Sequence, residues 1–403
     1  MKAKLMVLAV AGALAAPVAA LAQTGSVQIY GRAHVGIDNY SATGSTAGSA
    51  GDFKSRSRVY DALSRIGFRG SEDLGGGLKA VFNIESGINL DNGGTTGQSG
   101  QSNTSAGTLG SRVSYVGLDG HWGRLTFGRQ NVWWVNGKQD QIFANLLNNS
   151  NGISTGTFGR GMGVGVSRVN NVVQYTSPVM NGINAVVSYS PGSQEAQGAG
   201  QNADGKLVGF TLQGERGAFA GGWDYVKNEA NRPASGSQRS TTGNKLRAGW
   251  TYQPGGMVSL IWVKSKQEDG GTGIGGTSAL PGQGGLVDPT SSNLSQNAWT
   301  LTWEHLIGNV QLLAQGGRVQ NVSGCRLAGA CDNTGSTNYL AAVRYLFSKR
   351  TAVYASYIKI QNESNANMDI FAGGLSSAGA GGLGADSVGA DPRIVALGVV
   401  HNF

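Results

Sequence analysis

The chain has 403 residues, of which 67 are glycine and only 13% are charged, and its formal charge is +8. Such a composition would suit a disordered low-complexity chain, but the 8 Trp, 12 Tyr and 11 Phe recur at alternating positions and exclude that class in favour of strands. The positive excess is too small to imply a nucleic-acid partner by itself, so the placement of the charges matters more than their sum.

The N-terminus comes first. Lys2 and Lys4 precede an apolar run from Leu5 to Ala16, Pro17 interrupts it, and Ala20-Leu21-Ala22 is a small-x-small cleavage site. Residues 1–22 are therefore expected to be a signal peptide, leaving residues 23–403 as one exported domain with a formal charge of +6 once Lys2 and Lys4 are removed. Beyond Ala22 no segment approaches the roughly 18 to 20 consecutive apolar residues of a membrane-spanning helix. If the exported domain enters a membrane it must do so as a closed barrel, the other form that satisfies every backbone group in lipid.

Alternating segments predict strands at 26–40, 63–72, 78–90, 111–119, 124–131, 168–177, 183–190, 205–213, 219–228, 244–253, 257–267, 296–306, 309–320, 338–348, 351–362 and 393–403. The second and third make the most informative hairpin. On the way in, Ile66 and Phe68 share one face and Arg65 and Arg69 the other; on the way out, Ala80, Phe82 and Ile84 oppose Lys79, Asn83 and Glu85. Such a face packs either into a soluble sandwich or against lipid, with the ionic side lining water.

The connections decide between the two. Short ones (73–77, 120–123, 178–182, 214–218, 254–256, 307–308, 349–350) alternate with long ones rich in Gly, Ser, Thr and Asn, such as 91–110, 269–295 and 363–392. Sixteen antiparallel strands with turns at one end and long loops at the other predict an all-β, 16-stranded transmembrane β-barrel with short periplasmic turns and long extracellular loops. Face parity agrees: Leu246, Ala248, Trp250 and Tyr252 oppose Lys245 and Arg247, and Trp299, Leu301 and Trp303 oppose Thr300, Thr302 and Glu304. Trp122, Tyr345, Phe347 and Phe403 fall near strand ends, as interfacial girdles require. In 257–267, Ile261, Trp262 and Val263 defeat a clean alternation. Cys325 and Cys331 lie in a Gly/Ser/Asn-rich segment and are expected to form a small loop disulfide in an oxidising compartment. A metal site is the alternative, but no His or second Cys pair lies near them.

The runs Ser64-Arg65-Ile66-Gly67-Phe68-Arg69-Gly70-Ser71-Glu72-Asp73-Leu74-Gly75, Gly77-Leu78-Lys79-Ala80, Phe127-Gly128-Arg129-Gln130 and Asn170-Asn171-Val172-Val173-Gln174-Tyr175-Thr176-Ser177-Pro178 resemble the general porins of Gram-negative bacteria, nearest the beta-proteobacterial branch. The likeness runs from Val27-Gln28-Ile29-Tyr30-Gly31 to Phe403. It implies a homotrimer among outer-membrane lipids and lipopolysaccharide, a third loop (132–167) folded into the lumen as its constriction, and a terminal Phe403 read by the outer-membrane assembly machinery. It also implies a basic ladder facing that loop, onto which Arg32, Arg65 and Arg129 map. Parity supports Arg32 and Arg65, whereas Arg129 shares parity with Leu125 and Phe127 and needs a bulge beside it to reach the lumen. Where relatives often carry a basic residue this chain has Gln174, and Arg168 is the candidate substitute. The third loop holds one carboxylate, Asp140, against Lys138 and Arg160.

Passive passage of small hydrophilic solutes with a preference for anions is thus the expected function, since rings of Arg or Lys favour anions. Arg69, Lys79, Glu85, Gln174 and His34 are expected to line the pore. A channel specific for an anionic or sugar solute is the alternative, with Trp133-Trp134 the one candidate aromatic track, although these residues suit a loop anchor better. A barrel hydrolase is the remote alternative: His305 and His401 fall on outward parity, His121 in a short turn, and His34 alone points inward. The Gly161, Gly163 and Gly165 series has no strand-to-helix context for a phosphate loop. No catalytic residue, metal or cofactor is expected.

Overall fold

The computed structural model describes residues 25–91, 108–133, 168–191, 206–229, 239–269, 293–366, 368, 370 and 387–403, with backbone only at 239 and 267–269. These form seventeen strand segments: β1 (Ser26–Thr43), β2 (Phe53–Asp61), β3 (Arg65–Gly75), β4 (Leu78–Gly87), β5 (Ser114–Gly120), β6 (Gly123–Asn131), β7 (Arg168–Thr176), β8 (Ile183–Ser190), β9 (Leu207–Arg216), β10 (Phe219–Glu229), β11 (Arg239–Gln253), β12 (Gly256–Asp269), β13 (Asn293–Ile307), β14 (Val310–Val319), β15 (Ser336–Leu346), β16 (Thr351–Asn362) and β17 (Asp391–Asn402). Each pairs antiparallel with its neighbours, and β1 pairs with β17 from Arg32↔Asn402 to Thr43↔Asp391, so the sheet closes on itself with no free edge. Gly31 and Phe403 complete the seam by exchanging backbone hydrogen bonds of 3.0 and 3.1 Å.

The barrel has sixteen strands because β2 and β3 are one strand, interrupted at Ala62–Ser64. Both pair with β1, β3 through Ser26↔Ser71 to Arg32↔Arg65 and β2 through Val35↔Asp61 to Ala42↔Phe53. At the break Leu63 takes φ 66°, a conformation rare outside glycine. Side chains splice the gap: Ser64 N donates to Asp61 Oδ1 (3.0 Å) and His34 N donates to Ser64 Oγ (2.9 Å). The expected second strand, 63–72, is therefore too short by ten residues at its start, because β2 lies before the break at Ala62–Ser64. The first long connection accordingly shrinks to 44–52.

Orientation follows the sequence parity. Trp299 and Leu301 are 41% and 47% exposed while Thr300 and Thr302 are 1% and 2% exposed, an inversion of a soluble core. Lys245 and Arg247 are buried inward as expected, and Leu246 and Trp250 face out. Aromatic contacts collect near the short-turn ends of the strands, where a girdle belongs: Trp122 stacks on Tyr175, Trp303 and Tyr252 on His305, and Tyr345 meets Phe347 edge-on. His305 and His401 both sit in these outward aromatic contacts.

The inner wall departs from the expected ionic face in two places. One buried apolar group joins Tyr40, Tyr60, Leu340, Ile358, Ile360 and Ile394 to Met368 and Ile370 of the connection after β16. The other joins Val172, Leu207, Val226, Ile261 and Val263 to Val132 and Trp133, the first residues after β6. The broken alternation of β12 is thereby explained: Ile261 and Val263 point inward, and they are apolar because loop residues pack on them.

Candidate functional site

The wall bearing the arginines is built from β1, β3, β4, β6 and β7. Cross-strand pairing sets Arg32 opposite Arg65, and the inward face of β4 brings Glu85 beside them. Glu85 is the hub. Arg112 Nε donates to its Oε1 (2.5 Å), Arg65 Nε lies 3.6 Å from its Oε2, and the Tyr30 hydroxyl lies 3.1 Å from Oε2 while donating to Asn83 Oδ1 at 2.9 Å. Arg168 lies near enough to Glu85 to feel its charge as Arg65 and Arg112 do, and Arg32 and Arg129 lie near enough to Arg112 to be repelled by it. Arg32 Nε and Arg112 Nη1 are buried donors with no acceptor among the described residues.

Arg129 keeps the parity of Phe127 and pairs with Ser114, while Thr126 and Gln130 on the other face of β6 are buried inward. The β6–β7 register shifts between Gly128 and Gln130, with the extra residue in β7, where Asn171 takes φ 56°. Arg129 Nε donates to the Ser111 carbonyl (3.1 Å) and Nη1 to Asn170 Oδ1. Arg168, left open between lumen and solvent by sequence, lies near enough to Glu85, Arg65, Arg112 and Arg129 to interact with all four. Gln174 donates to the Asn131 carbonyl (3.0 Å) and to Ser188 Oγ (2.9 Å) on the inner wall. Nearer the short turns, Arg69 donates to Gln28 Oε1 (2.9 Å) and lies over the Tyr30 ring at 5.0 Å, and Lys79 pairs across strands with Asp119.

His34 sits at the seam in a chain of hydrogen bonds. Arg32 Nη2 is a pure donor at 2.8 Å from Nδ1, so Nδ1 accepts and Nε2 donates to Tyr354 Oη (2.8 Å), which is 2.6 Å from Tyr60 Oη. Tyr60 and Tyr354 lie flat on the wall because Gly36 and Gly398 face each other across β1 and β17; a β-carbon on either would collide with these rings. Asp38 accepts from Arg58 Nε (3.1 and 3.0 Å) and Nη2 (3.0 Å).

Two residues of this wall escaped sequence reading. Arg112 falls inside the expected strand 111–119 on the parity of Val116 and Leu118, but β5 begins only at Ser114 and leaves it outside the alternation, and Arg344 on β15 interacts with Arg32 across the seam and with Glu304 on β13. Lys138, Asp140 and Arg160, with Trp134, the Gly161 series and residues 1–22, lie outside the described residues. Cys325 and Cys331 form the expected disulfide in the connection between β14 and β15, and no metal-binding cluster occurs among the described residues.

Comparison with known proteins agrees with this architecture. The model of the Gram-negative porin family matches residues 7–365. An outer membrane porin protein of Bordetella pertussis is 31% identical over 242 residues, 57% of this chain and 58% of that protein. The major outer membrane protein P.IB of Neisseria gonorrhoeae is 31% identical over 200 residues, 49% of this chain and 51% of its own. The chain thus spans little more than half the length of the curated relatives it matches. Among solved structures, an anion-selective porin from Comamonas acidovorans superposes with a TM-score of 0.70 at 21% identity, over 94% of this chain and all of that one. The outer membrane channel DcaP of Acinetobacter baumannii gives 0.60 at 13%, over 94% and 97%. Those two likenesses establish the fold, and the family match, which covers most of the sequence, establishes the kinship: this chain belongs to the porin family of Gram-negative bacteria, the β-barrels of the outer membrane.

Proposed function

We propose that the protein is a general diffusion porin that passes small hydrophilic solutes and ions without catalysis and prefers anions. The observation that carries the reading is Glu85 held between Arg65 and Arg112, with Arg168 and, opposite Arg65, Arg32 beside them. Guanidiniums do not lose their charge at working pH, and a wall bearing several of them lowers the energy of a passing anion and raises that of a cation. The printed description of the Comamonas acidovorans protein as anion-selective fits the same reading.

The third connection (132–167) is assigned as the constriction, with Lys138 and Arg160 against Asp140 adding to the positive neck. Residues 1–22 are assigned as the export signal and Phe403 as the assembly signal. A homotrimer in lipid and lipopolysaccharide is supported by family membership and by the apolar outer groove of Val35, Ile37, Val59, Val353, Leu397 and Val399 between the first and last strands. Hydrolysis is disfavoured because both ring nitrogens of His34 are committed to Arg32 and Tyr354, leaving none to activate a nucleophile.

Swelling of proteoliposomes tests the proposal. Small organic anions and neutral sugars are expected to enter at rates that fall smoothly with size, anions faster than cations of equal size. Saturation or block by one solute would instead indicate a specific channel, and swelling no faster than in protein-free vesicles would reject diffusion altogether.

A further inference from the structure

Trp133 belongs to a loop yet is fully buried, in the apolar group on the inner wall formed with Val172, Leu207, Val226, Ile261 and Val263. Its neighbour Val132 lies so close to β9 that a β-carbon on Gly209 would collide with Val132 Cγ1. The polar half of the contact comes from β11. Lys245 Nζ donates to the Trp133 carbonyl at 2.9 Å and lies 5.2 Å from the centroid of its ring. The same ammonium is 3.5 Å from Asp224 Oδ2, whose closer partner is Arg247 Nε at 2.7 Å, while Thr211 Oγ1 donates to Asp224 Oδ1 at 2.7 Å.

A buried ammonium is costly unless its charge is compensated and its hydrogens are accepted. Here Asp224 compensates the charge at 3.5 Å, Arg247 lies closer to that carboxylate at 2.7 Å, and the ammonium's contact with the loop carbonyl is shorter than its contact with Asp224. β6, from which the loop leaves, and β11 are five strands apart round the barrel, so this contact ties the loop's first residues to a strand well removed from the one they leave. Hydrogen bond, ring contact and apolar seat all act on the same residue.

We propose that Lys245 is a positioning residue for permeation: it locks the root of the third connection against β11 and so fixes the bore and steadiness of the open pore. This rests on the pore reading and adds to it the residue on which the neck's geometry hangs. An arginine at the same place retains a donor for the carbonyl and a cation for the ring; a methionine keeps the volume and loses both.

The test is single-channel recording in planar bilayers, with folding checked by resistance to unfolding in detergent. The unmodified protein and Lys245→Arg are expected to give one steady current level. Lys245→Met is expected to give a higher mean conductance with fluctuating sublevels and a reversal potential shifted toward zero, in a barrel as resistant to unfolding as the unmodified one. Should Lys245→Met not assemble, Trp133→Ala leaves the Asp224, Lys245 and Arg247 group intact and is expected to give the same currents. A folded Lys245→Met or Trp133→Ala with unchanged level, noise and reversal potential overturns the proposal and leaves the pore reading standing, as does assembly failure of both. Absence of current from the unmodified protein would overturn the pore reading instead.

Discussion

Glu85 is the residue on which the basic wall turns, since it is within ion-pair distance of Arg65 and Arg112 and hydrogen-bond distance of the Tyr30 hydroxyl. It both tethers the arginines and cancels one of their charges. Glu85→Gln is therefore expected to strengthen the preference for anions, and Arg112→Gln to weaken it at least as much as Arg65→Gln does; reversal potentials of the three variants check the order. Equal selectivity in all of them would detach this group from ion choice. Arg32 and Arg65 were legible in the sequence because they lie on strands whose opposite faces are plainly apolar. Arg112 was not, because its place beside Glu85 depends on how the connection before β5 returns to the wall, which no periodicity records. Arg129 was assigned only through the family motif, and its strand keeps the alternation that sets it on the parity of Phe127.

At the level of single strands, the alternation of faces is an energetic requirement. A lysine or arginine on the lipid side near mid-bilayer costs about 2 to 4 kcal/mol, whereas one on the lumen side is solvated. Leu301→Arg is accordingly expected to lower the unfolding free energy by about that amount, and Ser71→Arg, partly exposed on the inward parity of Arg65 and Arg69, to fold normally. Urea unfolding in lipid vesicles reads both; comparable losses would mean that the two faces do not differ in environment. Strands with clean alternation, such as β13, could be read almost to the residue. Two could not. β2 hid among charges that belong to the inner wall, with Arg58 facing Asp38. β12 carried apolar residues on both faces because its inward side meets the protein's own loop, and a tertiary contact of that kind leaves only a broken period in the sequence.

For the whole molecule, the number of strands and the strict alternation of turns and loops followed from the sequence, because closure of a barrel in lipid permits few alternatives. The interior was less legible: its arginine wall, its seam of Arg32, His34, Tyr354 and Tyr60, and its two apolar seats are arranged by contacts between residues far apart in the chain. Together they make a bore that is unevenly charged, cationic along β1 to β7 and apolar where the loop roots rest. The most direct measurement is the reversal potential of the purified, unmodified protein in a planar bilayer separating two concentrations of KCl. Its sign is predicted to be that of chloride carrying most of the current; a potential of the sign set by potassium, or no steady conductance at all, would contradict an anion-preferring pore.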